Sequence, residues 1–169
     1  MTVDVRVRDE APADVGAIHA VVASAFGRSD EARLVDALRA AGKATISLVA
    51  DHDGRVVGHV LFSPVTLAGA PSASGLAPLA VVPPMQRRGI GGALVRAGLD
   101  RCRAAHRPFV VVLGSPDYYG RFGFLAAERY GLTCEYETPP GAFQAIELME
   151  GVLAGHAGLV RYAAEFAGV

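Results

Sequence analysis

The sequence predicts a mixed α/β fold, on three observations. Helical periodicity dominates the first forty or so residues, short apolar strands punctuated by Gly and Pro follow, and a strand, a glycine-rich turn and a helix stand in direct succession at mid-chain. Residues 3–8 alternate as a strand. Pro12-Ala13-Asp14 opens an amphipathic helix running to about Ala25, with Val15, Ile18, Val21 and Val22 on one face. A second helix covers 31–41, turning Leu34, Val35 and Leu38 inward, and Gly42 ends it. Residues 45–50 and 55–64 read as a hairpin closed by Asp53-Gly54. The stretch 67–74, rich in Gly, Ala, Pro and Ser, reads as a loop. A strand at 76–82, a helix at 89–106, a strand at 109–113 and a short helix at 117–122 then make a strand-helix-strand-helix unit. After it, 132–137 and 145–148 read as strands separated by Thr138-Pro139-Pro140-Gly141, and 160–162 as an edge strand.

One domain spanning residues 1–169 is expected, since a chain of this length with 51% apolar residues can bury a sizeable core. The formal net charge of -1 argues against a general nucleic-acid binder. No apolar run approaches the ~18 residues of a membrane span, and MTVDVRVRDE lacks the apolar stretch of a signal peptide, so cytoplasm is the expected compartment, with no membrane partner. Cys102 and Cys134 have no neighbouring Cys or His at metal-ligand or redox spacing; both read as packing residues and no metal is expected. Edge strands near the C-terminus leave a homodimer open.

The most informative segment is 76–95, LAPLAVVPPMQRRGIGGALV. Gly89, Gly91 and Gly92 let backbone N–H groups turn toward an anion at the point where a helix presents its unpaired donors and the positive end of its dipole. Arg87 and Arg88 add mobile positive charge beside them. A Walker-type loop is excluded, because the only lysine is Lys43. A dinucleotide fingerprint fails too: Leu94 stands where its third glycine belongs, and the motif falls in mid-chain. Pro78 cannot donate to a ladder, and Pro83-Pro84 ends the strand before the turn. Arg96, Arg101, Arg103 and Arg107 read chiefly as a solvated helix face.

Gln86, Gly89 and Gly91 meet the pattern Gln/Arg-x-x-Gly-x-Gly/Ala, and with it the segment resembles motif A of the GNAT superfamily of acetyl-CoA-dependent N-acetyltransferases. The block 111–124, VVLGSPDYYGRFGF, resembles the next strand and short helix of that family, and AFGRSDEARLVDALR, VVGHVLFSPVTL and LVRYAAEF resemble its YhbS-like branch. The likeness thus covers nearly the whole chain. It implies a GNAT-like acyl-CoA N-acyltransferase fold, with a central, mostly antiparallel sheet, a splayed strand pair and flanking helices. It also implies acetyl-CoA as acyl-donor cosubstrate. On this resemblance the segment Leu79, Ala80, Val81 offers amides to the acetyl carbonyl and pantetheine arm, a backbone oxyanion hole. Gln86, Arg87, Arg88, Gly89, Ile90, Gly91 and Gly92 hold the pyrophosphate. Ser115 takes a place where many relatives carry asparagine beside the pantetheine arm. Tyr119 is the general acid, its phenol, with a reference pKa of ~10, protonating the departing thiolate; Tyr118 is expected to face away from it.

Many members of the family place a glutamate early on the motif-A strand, where this chain has Gly75. The base is therefore open among a water relay, Glu31, Asp117 and Glu147. His59, set among Val57, Val60, Leu61 and Phe62, reads as a structural histidine. Acceptor recognition is expected from residues 26–31, with Phe26 and Glu31, from the 139–143 loop, and from the neighbourhood of Tyr118, with Asp117 as a further contact. The expected activity is direct transfer of acetyl to a primary amine of a small molecule or peptide. Two alternatives stand beside it: a non-catalytic CoA- or acyl-CoA-sensing module on the same fold, and a nucleotide-binding regulator using QRRGIGG, which lacks a phosphate lysine and a magnesium pair.

Overall fold

Where apolar side chains recur at helical spacing the chain coils, and where they alternate it extends, giving nine strands and four α-helices among the described residues, 2–169, of the computed structural model. They form two compact units. The first runs through Phe62 and takes in Pro78–Gly98 and Ala164–Val169; the second consists of Ser63–Ala77 and Leu99–Ala163.

In the first unit, β1 (Arg6–Asp9) pairs antiparallel with β2 (Ile46–His52), which pairs antiparallel with β3 (Arg55–Leu67). Asp53 and Gly54 close the β2–β3 hairpin with φ of 51° and 80°, the double left-handed turn that an Asp-Gly pair favours. β4 (Ala73–Val81) lies next to β3, and Val82 N–H donates to Val57 O at 3.0 Å just past its end. Helices α1 (Val15–Phe26) and α2 (Asp30–Ala40) pack together and bury Ile18, Val22, Val35 and Leu38. The start of α3 (Ile90–Ala104) packs where Gly58 leaves room, since a Cβ there would meet Leu94 at 3.0 Å and Ile90 at 3.2 Å. Strand alternation points the next residue, His59, to the opposite face.

On that face His59 is wholly buried, with Nε2 2.8 Å from Ser47 Oγ. Ser47 donates its hydroxyl to Glu10, and Glu10 receives Nε and Nη2 of Arg39 at 2.9 and 3.1 Å. The single Ser47 proton is used on a carboxylate, so the serine oxygen must accept from His59 Nε2–H. The imidazole is therefore the neutral Nε2–H tautomer, and its Nδ1 has no partner among the described residues. Burial lowers the His59 pKa from 6.5 to about 4. Burial alone would raise the Glu10 carboxyl, but the Arg39 guanidinium and Ser47 hydroxyl outweigh it and hold Glu10 below its usual range.

In the second unit, the start of β4 pairs parallel with β5 (Phe109–Leu113) over Ser74↔Val110, Gly75↔Val111 and Leu76↔Val112. β5 is followed by α4 (Pro116–Tyr119), β6 (Leu125–Ala126), β7 (Leu132–Cys134), β8 (Phe143–Glu147) and β9 (Gly158–Arg161). β8 lies antiparallel to both β5 and β6, and β9 pairs antiparallel with the end of β3 and parallel with β7. Phe109, Val111, Ala145 and Val160 form its core.

Several boundaries depart from the sequence reading. β3 runs past Pro64 to Leu67 and β4 begins at Ala73, so the expected 67–74 loop shrinks to 68–72. Leu67, Ala73 and Ser74 are buried, and burial overrides their small-residue, loop-like composition. β9 is no free edge, because it is paired on both sides, which removes it as a self-association strand. The 132–137 strand stops at Cys134, the first strand begins only at Arg6, and Pro12–Asp14 forms a 3₁₀ turn ahead of α1. α4 ends at Tyr119 and continues as a 3₁₀ turn, Gly120–Phe122.

The depressed His59 pKa sets a pH dependence. Between pH 6.5 and about 4 the unfolded chain binds a proton that the folded chain refuses, so stability is full above pH 6.5 and falls as pH drops through that window. Thermal melts across pH 4–8 are expected to show this slope in the wild type and a flatter one in His59→Leu.

Candidate active site

The turn from β4 to α3 is built by hydrogen bonds that bend the chain back on itself. Met85 N donates to Val82 O at 2.9 Å and Gln86 N to Pro83 O at 3.3 Å, making a 3₁₀ turn over Pro83–Met85. Gln86 Nε2 then donates to Val81 O at 2.9 Å, tying the loop to the end of the strand. Arg87 follows in the left-handed region, φ 62°, and Gly89 at φ 83°. Only the glycine adopts that backbone freely; a non-glycine residue held there stores local strain, of order 1–3 kcal/mol. The first intrahelical bond is Ala93 N to Gly89 O at 3.1 Å, so the N–H groups of Ile90, Gly91 and Gly92 precede the ladder. The result is a glycine-opened helix N-terminus flanked by two exposed guanidiniums, Arg87 and Arg88, with the chemistry of an anion cradle.

The end of β4 supplies a second set of donors. Val82 N–H points to β3, and by strand alternation the N–H groups of Leu79 and Val81 point to the other edge, while that of the buried Ala80 faces β3. The described pairing of β4 with β5 ends at Leu76, before either residue.

At the end of β5 the turn Gly114-Ser115 leads into α4. Ser115 is the helix cap: its Oγ accepts from Tyr118 N at 3.4 Å and its carbonyl accepts from Tyr119 N at 3.0 Å. The Tyr119 ring stands edge-on to Phe124, centroids 5.7 Å apart, and to Tyr118, 5.0 Å apart. Tyr118 was expected to face away; instead the rings touch, because the helix ends at once and the chain tightens. Arg121 lies over the Tyr118 ring, 4.4 Å from its centroid. The Tyr119 hydroxyl makes no hydrogen bond to a described residue, and burial pushes its pKa well above the phenol range, so it keeps its proton. A cleft of about 470 Å³ opens beside this turn, lined by Leu113, Ser115, Pro116, Glu137, Pro139 and Ala142 among others. It adjoins the expected 139–143 acceptor loop, and Glu137 is a lining residue that sequence reasoning did not single out.

The other expected contacts are spread differently. Phe26 is exposed at the end of α1, and Asp117 is exposed in the first turn of α4. Glu31 is buried and takes both Arg28 Nε, at 2.9 Å, and Nη2, an ion pair that holds its carboxyl below the usual range. Glu147 accepts from Leu153 N at 2.9 Å. Of the carboxylates weighed as base, two are thus committed elsewhere. Arg96, Arg101 and Arg103 are exposed along α3, as a solvated face requires, and Arg107 lies beyond its end.

The comparisons with known proteins now bear on this geometry. The family model described as Acetyltransferase (GNAT) domain matches residues 6–127. The chain belongs to the GNAT acetyltransferase family. It is 40% identical over 162 residues to the uncharacterized N-acetyltransferase YhbS of Escherichia coli K12, covering 95% of this chain and 97% of that protein. The crystal structure of E. coli YhbS in complex with CoA is similar at a TM-score of 0.93 and 38% identity, covering 99% and 94% of the two chains. A GNAT family acetyltransferase from Brucella melitensis in complex with acetyl-CoA is similar at a TM-score of 0.81 and 38% identity, covering 96% and 98%. The expected fold, a mixed sheet flanked by helices, is that of the family. Among the described residues no helix is long and apolar enough to cross a membrane.

Gly75, where many GNAT relatives carry a glutamate, has no room for one. A Cβ there would lie 2.9 Å from both Tyr162 Cε2 and Val65 Cγ1. Gly75→Ala is expected to cost about 1–3 kcal/mol of stability through overpacking, read as a lower urea midpoint, and Gly75→Glu more.

Proposed function

We propose that this GNAT protein binds acetyl-CoA and passes its acetyl group directly to a primary amine of a small molecule or peptide. The observation that carries the reading is the helix-opening turn: Gly89 in the left-handed region, Arg87 strained beside it, and first-turn amides ahead of the helix ladder suit a pyrophosphate. In that reading Gln86 through Gly92 hold the phosphates, the outward amides of Leu79 and Val81 with Ala80 between them receive the acetyl carbonyl and pantetheine, and Ser115 meets the pantetheine arm. A solved relative carries acetyl-CoA, which supports the cosubstrate.

Bound acetyl-CoA supplies an activated acyl group with a thiolate leaving group. The amine lone pair forms the new C–N bond as the C–S bond breaks; backbone donors on β4 stabilise the charge gathering on oxygen. Tyr119 gives its proton to the thiolate, and the nitrogen loses its own to a water relay or to the exposed Asp117, since no carboxylate can stand at Gly75 and Glu31 and Glu147 are engaged elsewhere. A phenol held protonated by burial is in the correct state for this at every working pH, although a raised pKa also makes it the weaker acid. The cleft lined by Leu113, Ser115 and Pro116 receives the acceptor body, and Glu137 in its lining offers a carboxylate to a cationic acceptor; Phe26, Glu31 and Asp117 are kept as proposed acceptor contacts. A cytoplasmic setting and the absence of nucleic-acid, membrane and metal partners complete the reading; a homodimer is left to solution measurement.

Acetyl-CoA consumption with thiol release, against amino acids, polyamines, aminoglycosides and N-terminal peptides, tests it. One acceptor class is expected to turn over, and Tyr119→Phe to slow it at least about tenfold, near 1.4 kcal/mol of transition-state stabilisation. Tight acetyl-CoA binding with no turnover on any acceptor makes the protein a sensing module instead. Direct transfer needs no thiol nucleophile. Burial pushes Cys102 up to about 11 and raises Cys134 as well, so neither is activated. Cys102→Ala and Cys134→Ala are each expected to turn over within about twofold of wild type, and mass spectrometry to find no acetyl-cysteine.

A further inference from the structure

Two residues with no part in the reaction hold the Tyr119 ring where it stands. Gly114 is the first. Its φ lies outside the left-handed region, so its backbone conformation is open to any residue, and what forbids a side chain is space. A Cβ on Gly114 would lie 2.5 Å from Tyr119 Cε2 and 3.0 Å from Cδ2. The ring occupies the volume that a side chain at 114 would take, and packs there onto bare backbone.

Gln144 is the second. It sits on β8 opposite Val112, in the otherwise apolar run Phe143, Ala145, Ile146, with 1% of its surface exposed. A buried amide is costly unless hydrogen-bonded, and this one donates Nε2 to Gly114 O at 3.1 Å and to Ala142 O at 3.4 Å. Gly114 N in turn donates to Ala142 O at 3.0 Å. The side chain thus closes the turn between the end of β5 and the start of β8. From that pinned turn one residue further, Ser115 O takes Tyr119 N at 3.0 Å, which sets the origin of the tyrosine itself. The line from amide to phenol is short: Gln144 fixes Gly114 and Ala142, Gly114 leads to Ser115, and Ser115 anchors Tyr119.

We propose that Gly114 and Gln144 are positioning residues for the Tyr119 phenol, Gly114 by leaving the ring its place and Gln144 by fixing the turn that carries it. This rests on the reading of Tyr119 as proton donor. The test compares wild type, Gly114→Ala, Gln144→Met and Tyr119→Phe, with each of the first two substitutions also made in the Tyr119→Phe background. Thiol release from acetyl-CoA is followed with spermidine and tyramine as acceptor probes, together with acetyl-CoA affinity and melting temperature.

Each positioning variant is expected to lower kcat at least about fivefold while KM for acetyl-CoA stays within about twofold, and to cost less than about twofold further once Tyr119 is Phe, since coupled residues are not additive. Independently of any acceptor, tyrosinate absorption measured against the Tyr119→Phe partner is expected to begin at lower pH in Gly114→Ala, because the displaced phenol meets water. Equal losses in both backgrounds, or an unchanged kcat in both variants, overturn the positioning role while leaving the donor in place. An unchanged kcat in Tyr119→Phe overturns the donor and this inference with it. Should Gly114→Ala fail to fold, Gln144→Met decides by the same kinetic criterion; should neither probe turn over, an unshifted tyrosinate onset in folded Gly114→Ala overturns the proposal.

Discussion

A strand has two edges, and half of its amide hydrogens face each. β4 satisfies one edge through β3, where Val82 N reaches Val57 O, but its described register with β5 covers only Ser74 to Leu76. Among the described residues the remainder of the strand keeps outward donors beyond that register, and the turn after it adds the first-turn donors of α3. In a folded chain such groups are ordinarily paired, and here the outward amides of Leu79 and Val81 and the first-turn amides of Ile90, Gly91 and Gly92 stand outside the described ladders. Pro78, Pro83 and Pro84 fit the same constraint from the other side, each removing a donor where a ladder would otherwise continue.

Several polar groups elsewhere behave in the opposite way. Glu10, Arg39, Ser47 and His59 are linked in one hydrogen-bonded chain, which leaves His59 neutral and one ring nitrogen without a partner among the described residues. Glu31 is closed on Arg28, and Glu147 on the backbone of Leu153. Glu10, Glu31 and Glu147 are thus engaged within the framework, and the space at Gly75 is filled by its neighbours.

Much of this was legible in the sequence where local signals agree. Phe109–Leu113 was read to the residue, because five apolar positions end abruptly at Gly114-Ser115-Pro116. Asp53-Gly54 announced its hairpin, and Gln86-x-x-Gly89-x-Gly91 announced the glycine-opened turn into α3. What escaped depends on distant partners. The loop-like composition of residues 67–74 concealed strand ends that are buried by packing. Residues 135–137 carry a strand-like tyrosine, yet the ladder stops at Cys134. Nothing local to Gly114 shows that the ring of Tyr119, five residues on, fills the place of its missing side chain.

Lys43 is the only lysine in the chain, and its Nζ lies 2.7 Å from Glu165 Oε1. A protein that handles a reactive thioester is exposed to acylation of its own side chains, and unprotonated lysine is the usual casualty. Here there is one such side chain, and the Glu165 carboxylate sits against its nitrogen. Arginine takes the remaining cationic positions, and a guanidinium stays charged and unreactive toward acyl groups. The chain thus offers its own reagent a single lysine side chain, and its positive charge is carried almost wholly by guanidinium.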